Sequence, residues 1–272
     1  MTSSHTMTAS TKYWVIANWK MHPKSVAEVK SLINALTQNI TALQVNRGVL
    51  PKIAIAPSFL HLATLAQLPN ASPIELAGQN LCGQDSSNGA YTGEVSANQL
   101  ADIGVTSVII GHSERRQYFA ETSALLTKKI ENAFAHELSV IFCIGESHEQ
   151  YLAKQTNTVL KGQLEVLAHF TSQIALPNPN APTNMPKLLV AYEPIWAIGT
   201  GLTPTPQEIE AVHTFISETL STMQIYAPII YGGSVNANNA RGIADISLVD
   251  GVLVGGASLN ADSFCQIIEA FC

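Results

Sequence analysis

Five short stretches of this 272-residue chain hold residues able to do chemistry together. In Ala191-Tyr-Glu-Pro-Ile-Trp-Ala-Ile-Gly-Thr-Gly201 a carboxylate, Glu193, ends an apolar run and a Gly-containing segment follows at once. Pro194 biases Glu193 toward extended backbone and bars a helix from starting there, so the carboxylate is a candidate base held at a strand's carboxyl end. Pro194, Ile195, Trp196, Ala197, Ile198, Gly199 and Thr200 read as a lid. Apolar side chains in a loop suit a segment that closes over a ligand and excludes water, with Gly199 and Gly201 as its hinge. Asn18-Trp19-Lys20 offers an amide and an ammonium: either a solvated lysine, or an anion anchor that steadies charge developing on a substrate oxygen. In Gly111-His112-Ser113-Glu114-Arg115-Arg116, His112 sits where a strand turns into a helix. The positive partial charge of a helix start disfavours imidazolium and leaves a neutral ring that can donate and accept, the alternative being a histidine satisfied by local backbone. Glu114 can fix neighbouring side chains, while Arg115 and Arg116 suit ion pairs better than catalysis. Tyr231-Gly-Gly-Ser-Val235 and Val254-Gly-Gly-Ala-Ser258 each carry a glycine pair, which is either a tight turn or a backbone open to an oxyanion.

The elements around these stretches decide between the readings. Eight apolar runs follow in order: 13–18, 52–56, 75–79, 107–110, 139–144, 187–193, 227–231 and 251–254. Most are continuous and not alternating, the mark of strands buried on both faces in a helix-covered parallel sheet. Between them lie segments with helical spacing, such as 25–44 with Val26, Val29, Leu32, Ile33, Leu36 and Ile40, and likewise 123–134 and 209–220. Thr205-Pro206-Gln207-Glu208 supplies a cap, a first-turn proline and an acid at the third position, so a helix starts there. Eight βα units in a chain of this length predict a closed barrel, with a doubly wound sheet as the alternative. In a barrel the ends of strands one, four, six, seven and eight share one face. Lys20, His112, Glu193 and the two glycine pairs then meet at one mouth, where loops seven and eight form the recurrent phosphate site and a short helix after strand eight aims its start at the anion. That set suits proton abstraction beside a carbonyl on a small phosphorylated molecule.

Composition excludes other classes. The chain is 46% hydrophobic and only 12% charged, about half the ~25% of typical globular proteins, so large ion-pair networks are absent and modest thermal stability is expected. A net charge of -6 without a basic run longer than Arg115-Arg116 argues against nucleic acid. Cys82, Cys143, Cys265 and Cys272 lack metal-ligand spacing, as do the histidines outside position 112, so no metal is expected and a reduced, cytoplasmic compartment fits. No signal peptide or membrane span is evident. Residues 1–10 read as a disordered tail and 11–272 as one catalytic domain, with 177–186 an irregular helix-to-strand loop on the face opposite the mouth.

Asn-Trp-Lys, Gly-His-Ser-Glu-Arg-Arg, Cys143-Ile-Gly-Glu146, Tyr-Glu-Pro-Ile-Trp-Ala-Ile-Gly-Thr-Gly, Tyr-Gly-Gly-Ser and Val-Gly-Gly-Ala-Ser occur in the order seen in the triosephosphate isomerase family, which the chain resembles from about Tyr13 to its end. The resemblance implies a (β/α)8 TIM barrel of one domain, usually a homodimer, and a cofactor-free interconversion of dihydroxyacetone phosphate and glyceraldehyde 3-phosphate. It implies Glu193 as base, neutral His112 shuttling protons, Lys20 and Asn18 steadying the enediolate, and Glu114 in support. It also implies Gly199, Ser234, Gly255 and Gly256 on the phosphate, and Thr92 in a dimer loop, 89–94, reaching the partner copy's catalytic amide and ammonium. Leu202 stands where many members carry Lys, and the segment 81–88 is slightly long. Two other readings remain. A Schiff-base aldolase would need a lysine in the mouth, whereas Lys187 starts its strand; a silent phosphosugar-binding scaffold would have no use for a base.

Overall fold

The computed structural model describes residues 13–67, 73–84, 88–174, 186–198 and 202–272. The expected tail, most of the loop at 177–186, and Gly199, Thr200 and Gly201 of the lid lie outside the described residues. In chain order the elements are β1 (Trp14–Asn18), α1 (Val26–Arg47), β2 (Lys52–Ala56), α2 (Phe59–Leu65), β3 (Ile74–Gly78), α3 (Ala97–Asp102), β4 (Ser107–Ile110), α4 (Ser113–Tyr118), α5 (Ser123–Ala135) and β5 (Ser139–Ile144). There follow α6 (His148–Leu152), α7 (Thr156–Leu164), α8 (Thr171–Ile174), β6 (Leu188–Tyr192), α9 (Pro206–Thr222), β7 (Ile229–Tyr231), α10 (Ala240–Ala244), β8 (Gly251–Val254) and α11 (Ala261–Ala270). The strands form a closed barrel in sequence order, and every neighbouring pair is parallel.

The continuous apolar strands now have their reason. Trp14 and Ile16 of β1 join Ala54, Ile109, Ile141, Leu189, Ile230 and Leu253 inside the barrel. Their neighbours Val15 and Ala17 pack outward with the helices, so both faces of each strand leave water. Helix starts follow local chemistry. Ser25 accepts the Glu28 N–H to begin α1, and Thr205 and Glu208 form a reciprocal capping box around Pro206 at the start of α9. The strand boundaries differ from expectation at β6, which runs 188–192, and at β7, which is only three residues long. Closure is double: β8 pairs with β1 through Trp14↔Gly251, while α1 and α11 are joined by Arg47 to Glu269 and by Asn39 to Asp262. A Cβ on Gly251 would overlap the Trp14 backbone, so the seam requires glycine there.

His213 of α9 is fully buried; its Nδ1 lies 2.9 Å from the Leu248 carbonyl, where it donates, and its ring stands edge-on to Tyr192. Burial lowers its pKa from 6.5 to about 4, against the opposing pull of the Leu248 carbonyl. As pH falls through 6.5 the unfolded state takes up a proton that the native state refuses until about 4, so stability is lost across that window. The shift corresponds to about 3 kcal/mol by pH 4. Urea unfolding at pH 7 and pH 4 should show this loss in the wild type, and His213→Leu should flatten it by that amount while costing about 1 kcal/mol at pH 7 for the lost hydrogen bond.

Candidate active site

At the carboxyl end of β1 the chain turns sharply. Asn18 is buried and its Oδ1 accepts the Lys20 N–H at 3.0 Å. Lys20 takes a left-handed backbone, φ 54°, and its Nζ lies 2.5 Å from Glu114 Oε1. Glu114 thus engages the cation, as its position in the sequence suggested.

β4 is followed by Gly111, whose φ of 76° turns the chain; a Cβ there would meet the Arg116 guanidinium at 2.8 Å. Arg116 donates to the Gly111 and Cys143 carbonyls at 2.7 and 3.0 Å, tying the ends of β4 and β5 together. Arg115 pairs with buried Glu121 at 2.6 Å, and Lys129 approaches the same carboxylate, so both arginines are structural. His112 caps α4 with its side chain: the Glu114 N–H points at Nδ1, 3.2 Å away. A donor facing Nδ1 requires a lone pair there, so the neutral ring carries its hydrogen on Nε2. That nitrogen is 3.3 Å from Glu193 Oε1.

Glu193 follows β6 and extends the ladder by one bond, its N–H donating to Ile144 O at 2.7 Å. Its side chain is 3% exposed, and Oε2 accepts the Ser113 N–H at 3.4 Å. Two glycines make room for it. A Cβ on Gly145 would overlap the Glu193 carbonyl, and one on Gly232 would lie 2.8 Å from Glu193 Cγ. Behind it, the root of the lid is anchored on Glu146, which accepts from Trp196 Nε1 at 2.8 Å and from the Tyr192 hydroxyl at 3.1 Å. Burial pushes the Glu146 carboxyl up in spite of these donors. Trp196 also stacks on Tyr151, whose hydroxyl donates to Glu208 at 2.8 Å.

The two glycine pairs prove unlike. Gly232 and Gly233 abut protein, the first against Glu193 and the second against Tyr231 and Pro194. A Cβ on Gly256 would meet nothing within 4 Å, and one on Gly255 only Lys20 Cε at 3.8 Å, so this pair is open to an incoming group. A short 3-10 turn, Gly256–Leu259, follows at the β8 end. Ser234 closes the opposite side and donates to Ala197 O at 2.5 Å.

Asn18, Lys20, His112, Glu193, Ile198, Ser234, Gly255 and Gly256 line one cavity of about 440 Å³. Glu114 lies behind Lys20, and Thr92 sits on an exposed stretch away from the cavity lining. Lys187 precedes β6 at the far end, over the Phe134 ring, and does not line the cavity. Among the described residues no group of three or more His, Cys, Asp or Glu could hold a metal. Sequence reasoning missed Ser113, whose backbone supports Glu193, and Gln79 beneath Lys20. It also passed over His22, which lines the mouth.

The sequence model of the family described as triosephosphate isomerase matches residues 13–271. A protein of that name from Psychrobacter sp. (strain PRwf-1) is 44% identical over 265 residues, covering 96% of this chain and 99% of its own. Another, from Flavobacterium psychrophilum, is 41% identical over 260 residues, covering 94% and 97%. A crystal structure of triosephosphate isomerase from Bartonella henselae superposes with a TM-score of 0.77 at 29% identity, covering 96% of this chain and 99% of that one.

The tight approach at Gly232 yields a direct test of how the carboxylate is held. Gly232→Ala should displace Glu193 from His112 in a crystal structure and lower turnover by about 100-fold, the cost of a misplacement near 1 Å. A variant that keeps both the 3.3 Å contact and its turnover would refute the packing role.

Proposed function

The chain belongs to the triosephosphate isomerase family, and on that premise we propose how its own residues divide the isomerisation. The reaction interconverts dihydroxyacetone phosphate and D-glyceraldehyde 3-phosphate, a step of glycolysis and gluconeogenesis. Glu193 is the base: it takes a proton from the carbon beside the carbonyl and returns it to the adjacent carbon. The observation that carries this is the buried carboxylate 3.3 Å from His112 Nε2 in the cavity that also holds Lys20. A silent binding scaffold has no use for that pair.

As the carbon loses its proton, charge passes to the substrate oxygens. The Nε2 hydrogen of His112, fixed there by the Glu114 N–H on Nδ1, donates to them and moves between them. Lys20 Nζ and the Asn18 amide offset the remaining charge, and Glu114 sets the Lys20 side chain. The open backbone of Gly255 and Gly256, with Ser234, receives the phosphate; Gly199 lies in the lid and is assigned there by family pattern. Closure of 194–200 over the cavity protects the enediolate from water and from loss of phosphate. Ser234 contacts Ala197 at the lid root, which supports a link between phosphate arrival and closure.

A second copy completes the reading. Met21 and Leu60, 89% and 86% exposed, stand beyond the ends of β1 and β2, with Tyr91, Tyr118 and Phe119 exposed after β3 and β4. Beside them Phe59, Leu62, Val95, Leu100 and Ile103 line a cavity of about 360 Å³. Exposed apolar residues after the neighbouring strands β1 to β4 suit an isologous homodimer, in which Thr92 of one copy reaches Asn18 and Lys20 of the other. Unpaired Cys82 and Cys143 and a net charge of -6 favour a cytoplasmic protein that does not bind nucleic acid. Among the described residues no helix is long and apolar enough to cross a membrane.

Proton NMR in deuterium oxide should show isomerisation with solvent deuterium entering substrate and product. Glu193→Gln should lower that exchange by about 10²- to 10⁴-fold, and phosphosugar binding without exchange in the wild type would overturn the mechanism. Sedimentation should find the protein at roughly twice its 29.1 kDa chain mass. Met21→Asp should halve that mass and lower turnover; a monomeric wild type with full activity would reject the assembly.

A further inference from the structure

Among the described non-glycine residues that line the cavity, only Lys20 has a positive φ. A side chain with a Cβ is strained in that region, and such strain persists only where neighbours hold it. Two groups do so here. Asn18 Oδ1 accepts the Lys20 N–H, and Gln79 Nε2 donates to the Lys20 carbonyl at 2.8 Å. The second hydrogen of the same amide goes to the Ala56 carbonyl, also at 2.8 Å. Because Nε2 faces two carbonyl oxygens, the flipped amide would set oxygen against oxygen, so the orientation is determined by its partners. Ala56 ends β2 and also accepts the Trp19 N–H at 3.0 Å. Gln79 directly follows β3, and its neighbour Asn80 accepts from Lys129 Nζ at 2.6 Å, which anchors the segment from below. One half-buried amide therefore joins the ends of β1, β2 and β3 directly beneath the ammonium, without lining the cavity itself.

We propose that Gln79 is a positioning residue for the isomerisation: its two-hydrogen clamp on the Lys20 and Ala56 carbonyls holds Lys20 in the left-handed backbone that aims Nζ at Glu114 and the cavity. The inference rests on the reading of Lys20 as the cation that offsets enediolate charge. Gln79→Leu removes both donors at similar volume, and Gln79→Met does so at full side-chain length. Each is made alone and in a Lys20→Ala background. kcat/KM is measured together with the dissociation constant of inorganic phosphate, so that the slow background still reports. Thermal melting establishes that the variants are folded.

With Lys20 present, either Gln79 variant should lower kcat/KM by about 10- to 100-fold and weaken phosphate, with melting close to wild type. In the Lys20→Ala background the same substitution should change either quantity by less than about twofold, because the group it acts through is gone. Equal losses in both backgrounds, no loss in either, or a collapse in melting temperature would overturn the proposal and mark Gln79 as purely structural. Undiminished kcat/KM in Lys20→Ala alone would sink the assignment of Lys20. A normal Gln79→Leu beside a crippled Lys20→Ala would sink only the clamp.

Discussion

A carboxylate that is almost fully enclosed is the constraint around which this molecule is arranged. Glu193 is 2% exposed, and burying a charge without donors is prohibitive. The Ser113 N–H donates to it and His112 Nε2 lies 3.3 Å away, and each carries a further requirement. Ser113 must begin a helix so that its N–H is free of an intrahelical partner, and His112 must keep its hydrogen on the nitrogen that faces the acid. Both demands are met by the same device, the side-chain cap of α4 by His112, in which the Glu114 N–H claims Nδ1. The glycines at 145 and 232 belong to the same requirement, since any side chain there would take the space of the Glu193 backbone or of its Cγ.

A closed parallel barrel suits this because it delivers all the pieces at one rim and leaves the loops to be locked to each other. Arg116 joins the β4 and β5 ends through two carbonyls, and Glu146 joins the β5 end to Trp196 at the lid root. Gln79 joins the ends of β1, β2 and β3, while Asn80, Lys129, Glu121 and Arg115 bind the β3 end to the helices after β4. Each link crosses from one βα unit to the next, so the rim is a chain of short polar bonds on an apolar frame. The frame tolerates this polarity because most of these donors find a carbonyl or carboxylate. The buried Oε2 atoms of Glu121 and Glu146 and the Tyr231 hydroxyl are left over.

Local signals in the chain were read well because they are local. Continuous apolar runs mark strands with two buried faces, and Thr205-Pro206-Gln207-Glu208 writes a helix start in four residues. Glu193, His112 and Lys20 could be placed because each lies within two residues of the end of such a run, and topology alone then brings the runs together. What stayed hidden depends on contacts between residues far apart. Gly232 and Gly255 look identical in sequence and both line the cavity, yet the first is hemmed in by Glu193 and the second is open. His213 carries no mark that separates a helix histidine sealed against Tyr192 from one in solvent. The third strand runs 74–78 and not 75–79, so Gln79, expected as a strand residue, lies just beyond the strand and clamps Lys20.

The chain's charge sharpens the question of how an anionic substrate is held. The net charge is -6, and the positive side chain in the cavity, Lys20, lies 2.5 Å from Glu114, so much of its field is already answered. Adding Glu193 makes the ionised set at the rim no better than neutral toward a dianion. Long-range attraction is therefore a poor basis for affinity here. What remains in the proposed reading is short-range and oriented: backbone N–H groups at the open Gly255-Gly256 turn and an ammonium whose backbone is clamped by Gln79. Dipoles of this kind act over a few ångströms and are worth most where water is excluded, so on the proposed assignment the phosphate gains most of its hold only as the lid comes down. Binding and closure are then one event, and the contact from Ser234 to Ala197 lies on the line between them.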